Sequence, residues 1–428
     1  MDNRILTVYY NNNYIYSDTS IPDATTTNYA PFIHSTNDGA GGTNWRDAHY
    51  NFGQRPFRFT PPEGYEALSS KNLPPNDPLI IRPQKYFDTL LYTATGNAMS
   101  ITGLEFKPDL IWQKRRDSTS GSHFHYWFDS VRGGRYGLQS NTEGVEFTGP
   151  DPNITFTGNG FDMVASTGGQ GNGSGGTYVT WCWKAGDAAV SNSDGSITSQ
   201  VSVNEEAGFS IVTWTGNGSD GATVGHGLGT KPDWIIIKKR DNNSGGNTGN
   251  WIVQHKSLSN GVNANTSTFT LTSYSSSAIY LNLSSAQSSY GFDNQVNGIA
   301  DTFVAYCWTE IPGYSKFGKY TGNGSADGSF IFTGFRPAWV MIKKSSNAGG
   351  WTIWDNKRDS FNYGDRTLFP HTSDPEETGN QYERWDLLSN GIKLRANGRN
   401  VVNGETYIYM AFAEQPFTTP FGASSNAR

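Results

Sequence analysis

One short pattern recurs three times in the chain, and it limits the fold more than any other feature. Lys107–Asp117 reads KPDLIWQKRRD, Lys231–Asp241 reads KPDWIIIKKRD, and Arg336–Lys344 reads RPAWVMIKK. A proline lacks the amide hydrogen that a sheet ladder uses, so it fits just ahead of a strand. The apolar run behind it carries large residues on both period-two faces, Trp234 and Ile236 on one, Ile235 and Ile237 on the other. A strand covered on both faces is central to its sheet. The basic residues that follow mark the expected exit from the core, and a glycine- and asparagine-rich loop then leads to a second strand beginning at Trp251.

Other landmarks keep the same step. A turn ends at Asn97, at Gly221 and at Gly328, and a closing strand opens at Thr177, Thr302 and Thr406. Self-similarity of this kind fixes the architecture that later motifs occupy. Glycine is abundant, with 50 residues, and aromatics reach 14%, against 5 methionines, a mixture suited to strands and tight turns. The pattern predicts an all-β chain of three tandem sandwich-like repeats of about 100 residues, at 86–190, 208–312 and 313–418. An extended arm over 1–49, a strand with a proline-rich linker over 50–85, and a tail over 419–428 complete the expected division. A segment near Tyr382, YERWDLLSNG, reads either as a short helix or as the entry to the strand IKLRA.

Cys182 and Cys307 occupy corresponding places, where the third copy has Ala411. Equivalent positions in separate copies rarely approach within the roughly 6 Å between Cα atoms that a disulfide needs, so two buried free thiols are expected. The net charge of −6 gives no basic field for nucleic acid, and no run of about 18 apolar residues offers a membrane span. The first residues lack the apolar block of a secretory signal, so any place outside the cell is expected to be reached by another route.

The stretch FGQRPF at 52–57, a TPP step, NLPP, and above all Cys307–Lys344, CWTEIPGYSKFGKYTGNGSADGSFIFTGFRPAWVMIKK, resemble a domain of unknown function common in virion structural proteins of marine bacteriophages, including cyanophages and pelagiphages. The resemblance covers about residues 50–418. In relatives the FGQRPF strand looks like the closing strand of a lectin-like, SPRY-type sandwich, which the fewer than 50 residues ahead of it here cannot build. The resemblance implies a particle component and supplies no catalytic residues. The function expected from it is a non-enzymatic virion protein, a tail fibre or host-recognition component whose arm docks on the tail. The alternatives are a capsid-surface decoration protein or a lectin-like module, with a depolymerase last. Its partners would be other virion proteins, a tail adaptor or the capsid, with further copies of itself, a trimer being the named form, and a host surface glycan.

Chemistry-bearing motifs are sparse. His123 and His125 share a strand face in the manner of a two-histidine metal edge, and neither a third ligand nor any cofactor is expected. Asn217 with Asp220, and Asn323 with Asp327, sit in glycine-rich turns without the spaced oxygens of a calcium loop. Glu143, Glu146 and Asp151, and the pair Glu205 and Glu206, are the carboxylates that a glycosidase could use, and a solvated face explains them more simply. Aromatic rings on loops can stack on sugars, which nominates Trp251, Trp351, Trp354 and Tyr126 as glycan or host contacts. Core packing is the competing reading, because Trp127, Trp251 and Trp351 recur at hairpin positions. Specificity would sit in the loops 141–159, 258–290 and 360–385.

Overall fold

The computed structural model describes residues 6–10, 13–18, 80, 82–117, 123–148, 153–166, 171–241, 243, 249–258, 261–263, 268–269, 278–281, 296–346 and 349–416. The chain divides into two units, 1–76 and 77–428. Within the first, Leu6–Tyr10 pairs antiparallel with Asn13–Asp18. The expected FGQRPF strand, Asp151, most of 258–290 and the tail from 419 lie outside the described residues.

The second unit is built of antiparallel sheets, with one short 3-10 turn at Pro83–Lys85 as the described helical element. Three sheets form its centre. Sheet I orders Phe87–Thr93, Thr177–Trp183, Leu110–Arg115 and His125–Asp129, with Tyr136–Gln139 and Phe147–Thr148 beyond. Sheet II orders Phe209–Thr215, Thr302–Trp308, Trp234–Lys239 and Trp251–His255, flanked by two strands on each side. Sheet III orders Ser315–Thr321, Thr406–Pro416, Phe335–Lys344 and Trp351–Asp355. In all three, the first strand of the segment lies beside its last, the last beside its second, and the second beside its third.

The three proline-led strands are central, although Pro337 lies inside its strand, at a register shift, and not ahead of it as expected, and their two faces go to different places. Trp234 and Ile236 enter one large apolar cluster, while Ile235 and Ile237 enter another. The large cluster gathers the inner faces of all three sheets, and among the described residues nine tryptophans belong to it. Ring contacts join every pair of sheets. Trp127 lies 5.0 Å from Tyr306, Trp183 lies 5.6 Å from Trp339, and Trp234 lies 6.0 Å from Trp351, centroid to centroid. The three sheets thus face one another around a common core, like the sides of a triangular prism. At about 25 cal/mol per Å² of apolar surface, this shared core is the main stabilising term of the unit.

Each outer face is covered by a small sheet of its own. Met99–Thr102, Gly160–Met163 and Ile154–Thr157 cover Ile111, Phe128 and Cys182. Ala222–Gly225 with Ala278–Leu281 covers Ile235, Ile252 and Cys307. Phe330–Phe332, Gly391–Leu394 and Trp385–Leu388 cover Val340, Trp354 and Ala411. The segment near Tyr382 therefore resolves to a strand hairpin, with Trp385 and Leu387 turned inward and Asp386 paired across to Lys393. Both cysteines are free and buried on the outer faces of their sheets, and burial pushes the Cys307 thiol up to about 12.

Candidate functional site

Where the three inner faces meet, the packing leaves a small hollow. Trp112, Ile236 and Met341 reach it from corresponding places on the three proline-led strands. Trp127, Val253, Trp251 and Trp351 come from the hairpin strands, and Ser140, Pro370 and His371 close the rim. Its volume of about 30 Å³ holds one or two waters or a methyl-sized group.

The rim is fixed by hydrogen bonds between segments. The Trp251 indole donates to the Gln139 carbonyl at 2.9 Å, the Ser140 hydroxyl donates to the Pro370 carbonyl at 2.8 Å, and His371 Nδ1 accepts from the Trp351 amide at 3.1 Å. Burial, with Lys343 and Arg399 behind it, pushes His371 down to about 4, so the imidazole is neutral at pH 7. His125 Nδ1 accepts from the Trp112 indole at 3.0 Å, and burial, followed by Lys114, His371 and Arg358, holds it well below the usual histidine range. A neutral, indole-lined space of this size accepts a small apolar group and lacks a paired acid and base. No group of three metal-ligating side chains occurs among the described residues.

Behind this hollow the three sheets repeat one unusual feature. Lys114 stands opposite His125, Lys238 opposite Trp251, and Lys343 opposite Trp351, and all three lysines are buried. Their ammonium groups donate to main-chain carbonyls: Lys114 to Arg115, His123 and Ser373, Lys238 to Glu143 and Gly249, and Lys343 to Lys344 and Gly349. Lys238 and Lys343 also lie 5.9 and 6.0 Å from the Trp251 and Trp351 rings. Burial pushes Lys238 down to about 7, and Lys114 and Lys343 to about 8. The expectation that the basic tail leaves the core is thus corrected. Lys238 and Lys239 are fully buried, because carbonyls satisfy the first and Asp301 pairs with the second at 2.8 Å.

Two of the three junctions between sheets carry the same buried charge network. On sheet I, Arg132 bonds Asp129 at 2.6 Å and Glu146 at 2.7 Å, and Glu146 is gripped by Arg240 of sheet II at 2.9 and 3.0 Å. The Tyr306 hydroxyl of sheet II donates to Asp129 at 2.8 Å. On sheet III, Arg358 bonds Asp355 at 2.5 Å and Glu376 at 3.0 Å, and Glu376 is gripped by Arg116 of sheet I at 3.0 and 2.8 Å. Here the Trp181 indole donates to Asp355 at 3.0 Å. Burial alone would raise Glu376, and the hydrogen bonds and charges of Arg116 and Arg358 outweigh it and hold the carboxyl below the usual range.

The remaining set of matching positions has exchanged these groups together. His255 stands where Asp129 and Asp355 do, Met410 where Tyr306 and Trp181 do, and Ser345 where Arg116 and Arg240 do. A thioether has no hydrogen to donate, and a buried carboxylate opposite it would go unpaired. An imidazole that is neutral when buried, held down to about 3, removes the conflict.

The nominated residues fall as follows. Trp251, Trp351, Trp354 and Tyr126 are buried, at 2, 3, 1 and 4% exposure, so none offers a ring face to a glycan. Trp251 and Trp351 face the common core, whereas Trp354 and Tyr126 face the small outer sheets. Their strands are covered on both sides, which hairpin position alone does not reveal. The register also places His125, not Trp127, at the position that corresponds to Trp251 and Trp351. Glu146 serves the junction network, and the carbonyl of Glu143 caps Lys238. Asn217 and Asn323 accept the amides of Ser219 and Ser325 at 2.9 and 3.2 Å, which makes both loops Asx turns. Sequence reasoning missed the buried lysines and the junction acids; recurrence of Lys114, Lys238 and Lys343 at one step was their available signal.

The described second unit is therefore an all-β body of several antiparallel sheets with an indole-lined hollow at its centre. The chain belongs to the DUF7483 family, a domain of unknown function whose signature spans residues 82–416. No curated protein and no solved structure matches it.

Proposed function

We propose that this chain is a non-enzymatic structural component of a bacteriophage particle, a tail fibre or host-recognition protein. In this reading three copies of one module, at 86–190, 208–312 and 313–418, form the exposed body, and the arm over 1–49 docks on the tail. Copies of the chain associate with one another and with virion proteins. The reading is carried by the use made of the buried acids and bases. Asp129, Arg132, Glu146 and Arg240 join one pair of central sheets, and Asp355, Arg358, Glu376 and Arg116 join another. Such groups contribute cohesion to a body that must keep its shape on a particle. The shared strand order of the central sheets and the three matched lysines support the three-module division. The phage context rests on the sequence resemblance from Cys307 to Lys344.

Gold-labelled antibody against the chain, applied to intact particles, tests the proposal. Label at the tail supports it, label over the capsid lattice replaces it with a decoration role, and particles without label refute it. Release of reducing ends from host envelope by the purified chain would refute its non-enzymatic part.

A further inference from the structure

The first and third of the small outer sheets present very different surfaces. In the first, Ile101 points inward and its neighbours Ser100 and Thr102 are exposed. In the third, Ile331 points inward and its neighbours are Phe330 and Phe332, 46 and 59% exposed. The pairing makes these positions correspond: Thr102 stands opposite Gly160 and Ser100 opposite Asp162, as Phe332 stands opposite Gly391 and Phe330 opposite Lys393. The framework accepts small polar residues at these places, so folding does not require the two phenylalanines. Large rings this exposed, at places where a small polar residue suffices, mark a contact surface.

The surroundings narrow the contact. The Phe330 ring lies across Gly391, where a Cβ would come within 3.0 Å of it. Lys393 pairs with Asp327 at 2.8 Å, and Arg395 with Asp386 at 2.6 Å, so each carboxylate has a cation and Arg384 is a third cation on the face. At the sheet margin Gly364 pairs with Trp385, and Asn362 bonds both the amide and the carbonyl of Leu387. This brings Tyr363, 54% exposed, over the Arg384 guanidinium at 4.7 Å. Aromatic faces thus alternate with paired charged groups that retain hydrogen-bonding capacity. With both carboxylates paired and the extra guanidinium covered by the Tyr363 ring, a neutral ligand with C–H faces and hydroxyls satisfies both kinds of group.

We infer that the outer face formed by Phe330, Phe332, Tyr363, Asp386, Lys393 and Arg395 binds a neutral polysaccharide. The inference rests on the host-recognition reading and names its ligand class. The test is affinity electrophoresis of the full chain through gels containing dextran, mannan, laminarin or heparin, beside a double variant, Phe330→Ser with Phe332→Thr. Because it installs the residues of the first sheet at exposed places, the variant should keep the wild-type melting temperature. The expected result is retardation by at least one neutral polymer, weakened about ten-fold or more in the variant. Val190→Ser, at another exposed apolar position, should be retarded like wild type. No retardation by the neutral polymers, retardation by heparin alone, or equal retardation of the double variant would overturn the inference. So would a change in sedimentation of the double variant, which would make the face a contact between copies. A chain found on particles that binds no neutral polymer would sink this inference alone, and a binding chain absent from particles would sink the virion reading alone.

Discussion

Arg132→Met is the substitution with the largest worked consequence. The Arg132 side chain is fully buried and donates to Asp129, Glu146, the carbonyls of Trp127 and Tyr136, and the Tyr306 hydroxyl. Methionine fills much of its volume and supplies none of those bonds, which leaves Asp129 a buried carboxylate without its cation. Breaking a buried pair from one side costs about 3–5 kcal/mol. Unfolding entropy of about 2.1 cal/mol/K per residue, taken over the unit 77–428, gives roughly 0.7 kcal/mol/K, so the melting temperature should fall by about 4–7 °C. Adding Asp129→Asn removes the stranded charge and should recover about half of the loss. Scanning calorimetry of the three proteins at pH 7 measures both effects. A single variant within about 1 °C of wild type, or a double variant less stable than the single, would refute the assignment of this network as a buried clasp between sheets.

Other outcomes follow from the same packing. The folded values of Lys238, Lys114 and Lys343 lie below the ordinary 10.5, at about 7, 8 and 8, so between those values and 10.5 the unfolded chain holds more protons. Stability should therefore rise from pH 7 to pH 9, and urea midpoints at the two values check it; Lys238→Met should flatten the rise, and a falling midpoint would contradict it. Glu383, raised to about 7 by burial, acts in the opposite sense, mostly below pH 7, and offsets only a small part of the rise. Cys182 and Cys307 should ignore a thiol reagent in the native protein and react fully in 6 M guanidinium, as burial raises both; rapid native labelling would contradict the packing. Trp251→Ala should cost about 3–5 kcal/mol in stability, by urea titration, as expected of a core indole and not of a surface platform.

Much of the fold was legible because its signals are local. The proline ahead of each apolar run, and the two apolar faces of Trp234–Ile237, announce central strands, and those strands are central. Period-two patterning states that both faces are covered but not by what. It cannot reveal that Trp234 and Ile236 meet the inner faces of two other sheets, while Ile235 and Ile237 meet a small sheet of their own. The same blindness turned Trp251, Trp351, Trp354 and Tyr126 into surface candidates. Lys238 and Lys239 were read as exposed because charge usually is; the carbonyls and Asp301 that accommodate them come from loops and strands distant in the chain. Nothing in the sequence marked Phe330 and Phe332 as exposed, and their exposure became informative only when the pairing made them correspond to Ser100 and Thr102.

The central claim is that three sheets share one core, so residues 77–428 should unfold together. Calorimetry of the full chain, with the van't Hoff enthalpy compared with the measured enthalpy of that unit, tests it most directly. The account predicts one transition in which the two agree; three separable transitions, each with the enthalpy of about 100 residues, would contradict it.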